Sequence, residues 1–242
     1  MTFIQSLVSG LTQAVSEFLP VSSDGHLNLV QHFFHLTPSL ALDVFLHAAT
    51  FLSVLFFFRH QTKYFFSHLN YIIVGSIPAA IVGLFFKDQI EDLFANPSLL
   101  PYFFLITGLM VFSTKFIKLK NCQLTYSKAF IIGLFQALAI LPGVSRSGGT
   151  IFSALLLGLS PPTAFNFSLA LFIPVSVGAI LLSLKDIFSE NLINSVNLLV
   201  FIITSLVGVL VLSCLLQLVI KNKFWIFGLY VIFLSVCLFL FL

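Results

Sequence analysis

Charge is scarce in this chain: of 242 residues only 8% are Asp, Glu, Lys or Arg, against roughly 25% in an ordinary soluble domain. With 59% hydrophobic residues and a mean hydropathy of +1.12, so few charges cannot hold the chain in water, and a soluble globular enzyme is excluded. Eleven Lys and Arg are too few and too dispersed to neutralise a nucleic-acid backbone, and 31 Phe are too many for a disordered chain. Cysteine is scarce as well. Cys122, Cys214 and Cys237 are odd in number, far apart and without metal-ligand spacing, so they read as free thiols rather than a disulfide framework or a zinc site. The opening MTFIQSLVSG has no basic residue before its apolar stretch and no small-residue cleavage site, so no removable signal peptide is expected.

What is abundant is long apolar runs. A bilayer core about 30 Å thick takes about 20 helical residues per crossing, so 242 residues suit roughly six crossings in one membrane domain. Runs of that kind fall at about 40–58, 70–86, 100–117, 163–184, 197–219 and 224–242. Two further apolar stretches, 1–36 and 128–160, are interrupted by Pro and a Ser/Gly cluster, LPVSSDGH at 19–26 and LPGVSRSGGT at 141–150. Broken helices at membrane depth are tolerated only where their backbone lines a cavity or is buried in protein. These two stretches are therefore expected to be re-entrant hairpins.

The interruptions resemble each other. Gly10-Leu11-Thr12-Gln13-Ala14 recurs as Gly133-Leu134-Phe135-Gln136-Ala137, and Val21, Ser22 and Gly25 recur as Val144, Ser145 and Gly148, all at an offset of 123 residues. Each half reads as a broken hairpin followed by three spans, the first repeat over 1–120 and the second over 121–242. An odd number of spans inverts the second copy, as in transporter-like folds with a site at the repeat interface. The expected fold is an all-α integral membrane protein, an inverted-topology repeat of six transmembrane helices plus two re-entrant helical hairpins.

Loop charges give an independent reading of orientation. Arg59, Lys63, Lys115, Lys118, Lys120, Lys128, Lys221 and Lys223 fall in alternate loops, and Asp88, Glu91, Asp92, Asp186 and Glu190 in the others. Eight of eleven basic residues thus share one side, which the positive-inside rule makes cytoplasmic. Both termini are then expected outside, with the first hairpin entering from the outer face.

Four charges remain near membrane depth: Glu17, Asp24, Asp43 and Arg146. Each costs about 2.5 to 3.5 kcal/mol on insertion scales, so each is a functional candidate. A structural ion pair between the repeats is the plain alternative. After each break, Ser22 to Gly25 and Ser145 to Thr150 read as new helix starts, whose free N–H groups and positive dipole end suit phosphate or carboxylate. Ser22, Ser145, Ser147, Gly148 and Thr150 are expected at a phosphate, with Arg146 able to hold two of its oxygens. Gln13 and Glu17 share a helix face, as do Asp43 and His47; these four and His26 supply candidate acid, base and metal-holding groups.

EFLPVSSDGH at 17–26, LDVFLHAAT at 42–50, GSIPAAIVGLFF at 75–86 and above all LPGVSRSGGT at 141–150 resemble the bacitracin-resistance family of undecaprenyl-diphosphate phosphatases. The similarity continues through FNFSLALFIP at 165–174 and KFWIFGLY at 223–230. It implies a membrane hydrolase of the bacterial inner membrane that converts undecaprenyl diphosphate to the monophosphate carrier for cell-wall synthesis, with a divalent metal (Mg²⁺ or Ca²⁺) and an extracytoplasmic active site. It implies catalytic roles for Glu17, Ser23, His26 and Arg146 and a phosphate site at Ser145, Arg146 and Ser147. Ser23 is either nucleophile or phosphate-positioning donor; a metal would rest on Glu17 and Asp24, with Gln13, Asp43 and His47 in support. Gln13 stands where the family usually has glutamate, and Asp24 where it commonly has Thr or another small residue. A polyprenyl-phosphate flippase or a catalytically weakened lipid-phosphate binder is the alternative.

Overall fold

The computed structural model describes residues 2–241 apart from 37–38, 60, 87–88, 91, 94–95 and 191. Asp88 and Glu91, two of the acids assigned above to the outer loops, lie outside the described residues. The described chain contains helices and no strands: α1 (Phe3–Ser16), α2 (Ser23–Phe33), α3 (Leu40–Phe58), α4 (Thr62–Ser67), α5 (Leu69–Phe85), α6 (Leu100–Ser113), α7 (Tyr126–Leu138), α8 (Arg146–Leu156), α9 (Pro161–Ser189), α10 (Ser195–Ile220) and α11 (Ile226–Phe241).

Four segments are long and apolar enough to cross a membrane: Leu40–Phe58, Pro97–Phe116, Pro161–Ser189 and Ser195–Ile220. They coincide with four of the six runs expected from sequence. Helices α5 and α11 fall on the other two, but with 17 and 16 residues they are shorter, at 1.5 Å per residue about 24 to 26 Å long. Leu181, Leu206, Leu210 and Phe233 are each more than 60% exposed on these outer faces. An apolar surface of that extent suits lipid, not water. The three cysteines are free.

Both broken stretches are observed as two short helices. Helices α2 and α8 have 11 residues each, and α1 and α7 have 14 and 13, lengths of about 16 to 21 Å that cannot span a core of about 30 Å. Their caps repeat with the sequence. Thr2 caps α1 and Thr125 caps α7; Ser22 caps α2 by accepting from Gly25 N–H, and Ser145 caps α8 by accepting from Gly148 N–H. A hydroxyl at each cap satisfies one of the donors that a helix start leaves unpaired. Ser22 holds a left-handed φ of 70° and Gly143 one of 97°, conformations disfavoured for side-chain-bearing residues that turn the chain sharply at each break.

Packing follows the same internal symmetry. Helix α1 lies on α10 while α7 lies on α5; α3 packs on α10 while α9 packs on α5; α3 meets α9, and α6 meets α11. The main core gathers Phe18, Phe165, Phe167, Phe172 and Ile132 between the hairpins and the long helices, with Phe18 edge-on to Phe172 at 6.3 Å. Burying side chains of this size contributes roughly 1.5 to 3 kcal/mol each when they leave water. In this molecule their consequence is positional: Phe18 fixes the carboxylate that precedes it.

Candidate active site

The two hairpin tips meet. Gly143 N–H donates to Ser22 Oγ at 3.1 Å and Ser147 Oγ donates to the Leu19 carbonyl at 3.2 Å. Thr107 of α6 braces the second break, its hydroxyl donating to the Gly143 carbonyl at 2.7 Å and accepting from Ser145 N–H at 2.9 Å. Gly25 is required by the close approach, since a Cβ there would fall 2.5 Å from Phe104 Cζ and 3.0 Å from Gly143 Cα.

Between the tips lies a cavity of about 190 Å³ lined by Glu17, Ser22, Ser23, Asp24, Asp43, His47, Gln136, Ser145, Arg146 and Phe172, among others. That is below the roughly 300–1,000 Å³ of pockets that enclose drug-sized ligands. It has room for a small polar head group and none for a long apolar chain.

Glu17 is the hub. Its Oε1 accepts from Arg146 Nη2 at 2.6 Å; its Oε2 accepts from Ser23 Oγ at 2.6 Å and Gln13 Nε2 at 3.0 Å, with His47 Nδ1 at 3.3 Å. Side chains from α1, the two broken tips and α3 thus converge on one buried carboxylate. Such charge-assisted bonds are short and strong because the low-dielectric surroundings screen them little. Arg146 lies over the Phe172 ring at 4.0 Å, a cation–π contact that fixes the guanidinium plane. Its Nη1 is buried and has no hydrogen-bond partner among the described residues. His47 is held from its far side by Ser176 Oγ at 3.0 Å and packs edge-on to Phe172 at 4.8 Å.

Most of the candidate residues are brought together, and some are not. Glu17, Ser22, Ser23, Asp24, Asp43, His47, Ser145 and Arg146 line the cavity. His26 does not: its Nδ1 sits 2.7 Å from the Ser22 carbonyl and its Nε2 2.9 Å from Tyr230 Oη. A carbonyl only accepts, so Nδ1 carries the proton, and both nitrogens are used to hold the break. Ser147 and Gly148 also lie behind the cavity wall, and Thr150 Oγ1 back-bonds to the Arg146 carbonyl at 2.8 Å and pairs with Ser168 Oγ at 2.6 Å. The hydroxyls of Ser147 and Thr150 brace the helix start. Asp43 does not pair with His47 on its own helix; it accepts from Gln31 Nε2. Sequence reading passed over Phe172, Ser176 and Thr107, which come from other helices and carry no local signal.

The donor set does not form a cation site as arranged. Both oxygens of Glu17 are taken by N–H and O–H donors, and Gln13 presents nitrogen to it. No three His, Cys, Asp or Glu side chains converge as metal ligands among the described residues. Asp24 is a further carboxylate lining the cavity.

A helical bundle with helices long and apolar enough to cross a membrane, built around two broken helix starts and an arginine with one unpaired nitrogen, defines a multi-pass membrane protein with a small polar cavity. Comparison with known families gives that class a name. Residues 6–237 match the family model described as "Bacitracin resistance protein BacA". The chain is 39% identical over 243 residues to an undecaprenyl-diphosphatase of Methanococcus vannielii, covering 94% of this chain and 95% of that protein. It is 37% identical to the undecaprenyl-diphosphatase of Thermosipho africanus (96% of this chain, 98% of that one) and 37% identical to undecaprenyl-diphosphatase 4 of Bacillus thuringiensis (96% and 94%). The chain belongs to the BacA bacitracin-resistance family.

Proposed function

We propose that this protein is an undecaprenyl-diphosphatase that releases the terminal phosphate of the lipid diphosphate within the cavity between its two hairpin tips. The observation that carries the reading is Arg146: a buried guanidinium with Nη2 on Glu17 and Nη1 unpartnered, at a helix start, beside a cavity sized for a head group. A diphosphate oxygen completes Arg146, and the N-termini of α2 and α8 add dipole and N–H donors. The polyprenyl chain lies outside, along the apolar helix faces.

Ser23 is the nucleophile in this reading. Its hydroxyl is 2.6 Å from Glu17 Oε2, so Glu17 takes the proton as Oγ attacks the terminal phosphorus. The bond from that phosphorus to the bridging oxygen breaks and undecaprenyl phosphate leaves; water then attacks the phosphoseryl phosphorus, inorganic phosphate departs with the water's oxygen, and Ser23 Oγ takes back the proton held by Glu17. His47 holds Glu17 in place, and Arg146 neutralises the charge growing on the transferred group. His26, through the Ser22 carbonyl, keeps the break in shape.

We propose likewise that the fold comprises six spans and two re-entrant hairpins in inverted repeats over 1–120 and 121–242, set in the bacterial inner membrane with the site open to the outer face. Support comes from the matched caps at 123-residue spacing, the paired packing of the halves and the one-sided Lys and Arg. Purified protein in detergent should release inorganic phosphate from undecaprenyl diphosphate, and Arg146→Ala and Ser23→Ala should lose that release while still inserting. Near-native turnover in either variant refutes the corresponding role. No release by the native chain, with lipid binding retained, would favour a flippase or binder.

A further inference from the structure

The residue left unexplained at the cavity is Gln136. It is 1% exposed, lines the cavity with Arg146, and neither Nε2 nor Oε1 has a hydrogen-bond partner among the described residues. Leaving a buried amide unpaired is strongly unfavourable, so such a group implies a ligand or water that completes it. The internal repeat shows why it is unpaired. Gln13, its counterpart 123 residues earlier, donates to Glu17 four residues on; four residues beyond Gln136 stands Ile140, with no acceptor to offer. The first hairpin uses its amide nitrogen on its own carboxylate, only Gln13 Oε1 being unpaired among the described residues, whereas at Gln136 both amide atoms are left to the cavity.

We propose that Gln136 is a substrate-binding residue, its amide donating to a diphosphate oxygen while Arg146 Nη1 donates to another. The proposal rests on the cavity being the diphosphate site, as argued above. Two unpaired donors, one charged and one neutral, select a group with several anionic oxygens over a carboxylate or a lipid hydroxyl. The amide carbonyl in addition accepts a hydrogen bond from a protonated phosphate or from the water that enters after transfer.

The test uses the full-length protein in detergent, with undecaprenyl diphosphate as substrate and inorganic pyrophosphate as a soluble probe. Gln136→Met keeps the volume and removes both orphaned atoms. A hydrogen bond to a charged group corresponds to about 10- to 100-fold in affinity. The variant should therefore raise KM by that factor with kcat within about threefold, weaken pyrophosphate stabilisation equally, and leave Tm unchanged or higher. A structural role gives the opposite pattern, a lower Tm with KM unchanged, and would overturn the proposal. Gln136→Glu keeps the shape and adds a negative charge; it should lose phosphate release almost entirely, and native-like KM there would also overturn it. If the native chain releases no phosphate but binds pyrophosphate in a Gln136-dependent way, the hydrolase reading falls and Gln136 stands. If release is normal and indifferent to Gln136, the reverse holds, and a native chain that neither releases phosphate nor responds to pyrophosphate refutes both.

Discussion

The Glu17–Arg146 pair permits a test that separates stability from chemistry. The two side chains are 3% and 14% exposed and 2.6 Å apart, so removing one partner leaves a buried charge uncompensated, at about 3 to 5 kcal/mol. Replacing both by apolar side chains removes both desolvation penalties and is often neutral or stabilising. We therefore expect Glu17→Met and Arg146→Met each to lower stability in detergent, and the double variant to recover most of the loss. At roughly 2 to 4 °C per kcal/mol for a chain of this size, each single variant should lower Tm by about 6 to 20 °C. Glu17→Met should be the worse of the two, because Ser23, Gln13 and His47 also lose their acceptor. Phosphate release should be lost in all three. Additive single effects, with the double variant falling by their sum, would refute the pair as the element holding the two tips together.

Three further outcomes follow from the same geometry. Gly25→Ala places a methyl 2.5 Å from Phe104 Cζ, an overpacking that should cost about 1 to 3 kcal/mol and depress phosphate release; thermal unfolding beside the release assay checks it. Thr107→Val deprives the Gly143 carbonyl and Ser145 N–H of their partner, and at about 1 to 3 kcal/mol for each buried group left unpaired it should lower both Tm and activity; unchanged values would mean that α6 does not brace the second break. Chelation should leave the Tm of the native protein unchanged, since the Glu17 oxygens already accept from N–H and O–H donors and no three metal-ligating side chains converge among the described residues, whereas Gln13→Glu would set a second carboxylate where an amide nitrogen now lies 3.0 Å from Glu17. That variant should be destabilised in chelator and restored by Mg²⁺ or Ca²⁺, read as a cation-dependent Tm; insensitivity to both would refute the like-charge argument.

Local composition carried a good deal of this protein. Apolar runs set the helices, the Pro and Ser/Gly clusters set the two breaks, and the helix starts at Ser22 and Ser145 were legible because a helix start needs a nearby oxygen whatever the fold. Glu17 and Arg146 stood out because charge at membrane depth is too unfavourable to be idle. Sequence also exposed the kinship of Gln13 and Gln136, but could not say that the amide nitrogen of Gln13 is paired and that of Gln136 is not. Which hydroxyl faces the cavity was equally out of reach: Ser23, Ser147 and Thr150 are alike in kind, yet one meets Glu17 and the others brace backbone. That His26 meets Tyr230 while His47 meets Glu17 was out of reach for the same reason. Hydrogen-bond geometry depends here on partners 204 and 129 residues away, Tyr230 for His26 and Ser176 for His47, and only the packing of the helices brings those partners within reach. The chain alone determined that a few charges must be buried together; the tertiary structure decided which groups they hold and which donors they leave free.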